Sequence, residues 1–154
     1  MDTYGEAFNL ISKPIEDFAK KYNFFVEKYR HDAANWTLCF KRKTGGVAYI
    51  YINYLYQTNK SRNSHSNTQF EMGIIWVVDD YETEIRHSIR KTIGKYNFNN
   101  DLFRFENLLN KAVDTVKELK YEDLATHDVG MNWKSHWKTK EEFLQSIDFP
   151  EVEI

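Results

Sequence analysis

Two β-prone runs, residues 47–56 and 70–78, are apolar on both faces, and this restricts the fold more than any other feature of the chain. In the first, Tyr49, Tyr51 and Leu55 fall on one parity and Ile50, Ile52, Tyr54 and Tyr56 on the other. In the second, Phe70, Met72, Ile74 and Trp76 oppose Ile75 and Val77. Successive side chains of a strand point to opposite faces, so an antiparallel strand with one wet face alternates apolar with polar. These runs do not. Either helices cover both faces of the sheet they belong to, or the second face meets a partner.

The rest of the chain supplies both strands and helices. Tyr4, Phe8, Ile11, Ile15, Phe18 and Tyr22 recur at steps of three and four, the helical period. Pro14 either kinks that helix or opens a second one capped by Ser12. Residues 24–30 read as a strand, followed by a turn at Asp32 to Asn35. Trp36, Leu38 and Phe40 alternate with Thr37, Cys39 and Lys41, and the Gly45-Gly46 pair then predicts a hairpin. Tyr81, Ile85, Ile89 and Ile93 are spaced by four, which suits one face of either a helix or a strand. With Asp79-Asp80 as cap, Glu82 and Glu84 early, Arg90 and Lys91 late and Gly94 beyond, residues 81–93 are expected to be helical. A further helix is expected over 101–120, an irregular stretch over 125–138, and a last helix from the capping box Thr139 to Glu142.

The expected fold is therefore α+β, a single domain over residues 1–154. About four antiparallel strands pack with amphipathic helices in the order α-β-β-β-β-α-α-α.

Composition narrows the function classes. With 42% hydrophobic and 29% charged residues the chain is globular, and its 16% aromatic content fits a core, while ten Tyr and four Trp also supply the amphipathic surface that binding sites favour. A net charge of −2, from 21 basic and 23 acidic residues, argues against a general nucleic-acid or anionic-membrane binder. Cys39 is the single cysteine, so neither an internal disulfide nor a multi-cysteine zinc cage can form. Asp2 and Glu6 replace the basic start of a signal peptide, and no apolar run approaches the roughly 20 residues of a membrane span. The expected compartment is the cytoplasm, with no cofactor.

Cys39 beside Lys41 is the one available thiol nucleophile, although no catalytic motif surrounds it. Of the histidines, His127 with Asp128 and His136 forms the one local cluster of acid–base or ligand-capable groups, as a metal-dependent hydrolase or nuclease would need. Asp79, Asp80, Glu82 and Glu84 can be read as a divalent-ion site or simply as helix caps. Lys41-Arg42-Lys43 ahead of the tyrosine-rich run loosely echoes RNA-binding sheets, whose aromatics stack on bases. The polar loop 58–68 carries Lys60, Arg62 and His65, which suit a phosphate or an acidic partner surface. Trp133, His136 and Trp137 have the composition of a protein-contact hot spot.

None of these constellations is an assembled catalytic set. Small proteins of this size and outline include immunity proteins against bacterial toxins, phage-borne inhibitors of host defence and secretion chaperones, a likeness of size and outline alone. The expected function is non-enzymatic: a protein-binding inhibitor of immunity-protein or anti-defence type. Lys60, Arg62, His65, Trp133, His136 and Trp137 are its expected contacts, and the doubly apolar strands also fit a homodimer.

Overall fold

The structure, a computed structural model, describes residues 3–30, 34–54, 69–80, 82–83, 85–97, 102–128 and 149–154. The helical spacing of the first segment produces α1 (Thr3–Tyr22), which buries Ile11, Ile15, Phe18 and Ala19 along one stripe. It runs straight through Pro14 as one element. Its end is a Schellman turn: Asn23 takes φ 62°, Phe24 N donates to Ala19 O at 2.8 Å and Asn23 N to Lys20 O at 3.3 Å. That turn delivers Phe24 into the core, where its ring stacks on Phe40 at 4.4 Å.

The chain then runs as an antiparallel meander. Its strands are β1 (Phe25–Arg30), β2 (Ala34–Arg42), β3 (Val47–Tyr54), β4 (Gln69–Asp80) and β5 (Ile85–Asn97). Next comes α2 (Leu102–Glu118), then a single 3-10 turn at Tyr121–Asp123. β6 (Ala125–Asp128) pairs with β5, and β7 (Glu151–Val152) pairs in parallel with the end of β2 that β1 leaves open. Spatial order equals sequence order from β1 to β6.

Register builds the core in rows. Trp36, Ile52 and Met72 lie abreast, as do Leu38, Ile50 and Ile74, and then Phe40, Ala48 and Trp76. All nine are buried, and they face α1 and α2, which contributes Phe105, Leu109, Ala112, Val113 and Val116. Both described helices thus cover the same face. Trp36 ties α1 to the sheet by donating from Nε1 to Ser12 Oγ at 3.1 Å.

The α+β class holds, but the expected element order does not. Residues 81–93 are not a helix: β5 occupies Ile85–Asn97, paired with β4 along its whole length and with β6 at its start. A spacing of four marks one strand face as well as one helix face, and pairing on both edges decides for the strand. Asp80 does cap, but a turn: its Oδ1 accepts the N–H groups of Glu82 and Thr83 at 3.0 and 3.3 Å. Gly94 is not a helix C-cap either. It sits beside the bulge at Met72/Gly73, with φ 155°. The stretch expected to be irregular opens with the strand β6, and β7 was not foreseen; the described order is α-β-β-β-β-β-α-β-β. The helix expected from Thr139 lies outside the described residues. Among the described residues no helix is long and apolar enough to cross a membrane.

Candidate functional site on the sheet face opposite α1 and α2

Strand parity sends the odd-numbered residues of β3 and β4 to the face away from the helices. There Tyr49, Tyr51, Glu71, Gly73, Ile75, Val77 and Asp79 meet Arg86, Ser88, Arg90 and Thr92 of β5 in register. Gly73 is opposite Tyr51, and a Cβ built on it would overlap the tyrosine ring, so the glycine is the slot in which Tyr51 lies. Arg90 closes that slot. Its guanidinium stacks 4.8 Å from the Tyr51 ring centroid, its Nε donates to Tyr51 Oη at 3.3 Å, and its Nη2 stands 3.9 Å from Glu71 Oε1. At the far end of the same strands, Arg86 grips Asp79 in a two-point ion pair, Nε to Oδ1 at 2.8 Å and Nη2 to Oδ2 at 3.0 Å. Between these fixed groups lie the half-buried side chains of Ile75 and Val77. Phe149 borders the strip, its ring 5.6 Å from Phe25 and 6.1 Å from Tyr49.

Several residues picked out for their chemistry are consumed by the fold. Cys39 has no exposed surface, and burial, followed by the nearby charge of Glu27, pushes its thiol up to about 12. A thiol that stays protonated at neutral pH is no nucleophile. Arg42 is buried too: it stacks 4.3 Å above Trp76, and donates from Nε to Ile154 O at 3.1 Å and from Nη1 to Leu119 O at 3.2 Å. Burial pulls its pKa below the usual arginine range. Lys43 pairs with Glu153 at 2.9 Å. Together with the main-chain bond from Lys41 N to Pro150 O at 2.8 Å, these contacts make the 41–43 run a clasp on the β7 end of the chain. Tyr51, held under Arg90 with 6% of its surface exposed, offers no ring for a base to stack on.

The acidic set is likewise divided: Asp79 pairs with Arg86, while Asp80 and Glu82 belong to the turn. Among the described residues, no group of three His, Cys, Asp or Glu is placed to hold a metal ion. His87 Nδ1 lies 3.1 Å from Thr126 Oγ1, with its ring 5.3 Å from that of Tyr121, joining β5, β6 and the 3-10 turn. His127 and Asp128 belong to β6, in register with Arg86 and Ile85.

His31, Lys60, Arg62, His65, Glu84, Trp133, His136 and Trp137 lie outside the described residues. The roots of their segments are nonetheless fixed. Residues 55–68 connect Tyr54 to Gln69 at one end of the sheet. The segment 129–148 leaves from Asp128, which register places level with Asp80 at the other end. At about 3.3 Å per residue along β4, its two ends at these roots stand roughly 36 Å apart.

Sequence reading missed Glu71, Arg86 and Arg90 as site residues. The parity of β4 was a usable signal for Glu71, whereas the arginines join it only once 85–97 is read as a strand. Comparison of the chain with protein-family models, with curated proteins and with solved structures finds no match.

Proposed function

We propose that this chain is a non-enzymatic protein-binding module, an inhibitor of immunity-protein or anti-defence type, which acts by occupying a partner protein's surface with the sheet face opposite α1 and α2. The observation that carries this reading is the strip formed by Tyr49, Ile75 and Val77 between two pre-set arginines, Arg90 on Tyr51 and Arg86 on Asp79. Tyrosine and arginine dominate binding hot spots, and side chains already held in one geometry lose little entropy when a partner arrives. Lys60, Arg62, His65, Trp133, His136 and Trp137 are further contacts in this proposal. Such a partner is a folded protein with an apolar centre and acidic groups toward its rim.

The test uses a partner captured from native host lysate and then purified. Arg90→Ala, Lys60→Glu with Arg62→Glu, and Trp133→Ala with Trp137→Ala are compared with the unaltered chain by calorimetric titration. At least one set should weaken binding by roughly 30-fold, the effect of losing a hot spot of about 2 kcal/mol. If all three bind as the parent does while their circular dichroism is unchanged, the face is wrongly chosen.

A further inference from the structure

Where α1 and α2 lie side by side on the other face of the sheet, they enclose a groove of about 280 Å³. Its floor is Phe18, Phe105 and Leu109, and its rim carries Asp17, Lys21 and Glu106. Sites for cofactors and drug-sized ligands start at roughly 300 Å³ and enclose most of the molecule. This groove is at or below that limit and has a charged rim, so it suits one apolar side chain better than a cofactor.

Such a side chain stands next to it. Phe103, on α2, is 77% exposed, the most exposed large apolar residue among those described. Phe103, Glu106 and Asn110 share one stripe of the helix by their spacing, so the exposed ring borders the groove wall formed by Glu106. A ring held in water beside an apolar groove is the knob-and-hole pair that a two-fold contact requires, because an isologous patch must present both halves itself. The charges fit the same operation. Asp17 and Glu106 supply two negative groups, and Lys21 with Lys13, which pairs with Asp17 at 3.1 Å, two positive ones, all exposed, so the patch is neutral and mixed in sign. A patch of one sign would repel its own copy.

We infer that the chain self-associates through this helical face, the Phe103 ring of each copy entering the Phe18–Phe105–Leu109 groove of the other. Such a dimer uses the face that carries α1 and α2, so it is independent of the opposite sheet face proposed above as the partner surface.

Sedimentation velocity over a dilution series up to about 100 µM tests this on the full chain. The unaltered protein should show a concentration-dependent dimer. Phe103→Ser withdraws two buried rings per dimer and should raise the dissociation constant by at least about 100-fold. Because Phe103 is exposed in the single copy, the melting curve of the variant should match the parent's. Lys21→Glu leaves the rim wholly acidic and should weaken association in the same direction, and it decides the matter if the serine variant folds poorly. A parent that remains monomeric throughout, or variants that dimerise as the parent does, would overturn the inference.

Discussion

Replacing Arg42 by methionine separates a structural clasp from a ligand-binding cation, because the two roles predict changes in different observables. Methionine keeps much of the side chain's length and apolar stem but removes every donor. In the folded chain this strands Leu119 O, in a residue only 4% exposed, and frees Ile154 O, in a residue exposed enough for water to replace the lost bond. An unsatisfied buried acceptor costs about 1–3 kcal/mol, and the lost stacking on Trp76 adds about 1 kcal/mol more. Against this stands relief from burying the guanidinium, whose lowered pKa reports a real desolvation penalty. With about 1 kcal/mol returned on that account, the net loss is about 2 kcal/mol. For a chain of this size that is a fall in Tm of roughly 4–8 °C. Thermal melts and urea unfolding measure it directly. An Arg42→Met protein as stable as the parent would refute the clasp. Lost nucleic-acid binding at unchanged stability would restore the basic-patch reading.

Cys39 should make the parent lose stability in alkali. Its folded thiol titrates at about 12 against an ordinary 9.0, so between those values the unfolded chain binds fewer protons than the folded one. The contribution is complete below about pH 9 and is lost as pH rises, at up to about 1.4 kcal/mol per unit. Urea unfolding at several pH values should show a flatter alkaline decline for Cys39→Ala, and equal slopes would contradict the burial argument. Gly46→Ala should destabilise more than Gly45→Ala. Both glycines have positive φ, but only at Gly46 would a new Cβ overlap the main chain, at Val77 O. A cost of about 2–4 kcal/mol at Gly46 against about 1–2 at Gly45 is the expected split in melting experiments, and the reverse order would refute it. Gly73→Ala should expel Tyr51 from its slot and increase tyrosine exposure to a collisional quencher, a change that an undisturbed ring would not produce.

What could be read in the sequence depended on whether a local rule had one solution or two. The stripe of α1 and the alternation of Trp36, Leu38 and Phe40 each match a single period, and both elements appear where expected. Ile85, Ile89 and Ile93 fit two periods, so the capping signs had to decide. Those signs were chemically sound and pointed to the wrong element. An aspartate that accepts N–H groups two and three residues ahead makes the same bonds at a helix start and in a turn. Glycine follows a helix and flanks a bulge for the same conformational reason. What settles β5 is its pairing with β4 and β6, a contact between residues distant in sequence. β7 was beyond reach on similar grounds, since two residues carry no period.

That one element also governed which functional residues could be seen. On a helix, Arg86 and Arg90 are neighbours one turn apart, and the candidate acidic partner four residues back from Arg86 is Glu82. On a strand they belong to the same face as Glu71, Tyr51 and Asp79, which lie 7–39 residues away along the chain in the contacts they make. Residues selected for intrinsic reactivity met the opposite fate. Cys39, Arg42 and Tyr51 look chemical in isolation, yet each is satisfied inside the structure, by burial, by main-chain carbonyls or by an arginine lid. Among the described residues, Cys39, Arg42 and Tyr51 are engaged internally and Arg86 and Arg90 are held in pairs, and it is this pre-set outward arrangement that the proposed recognition role would use.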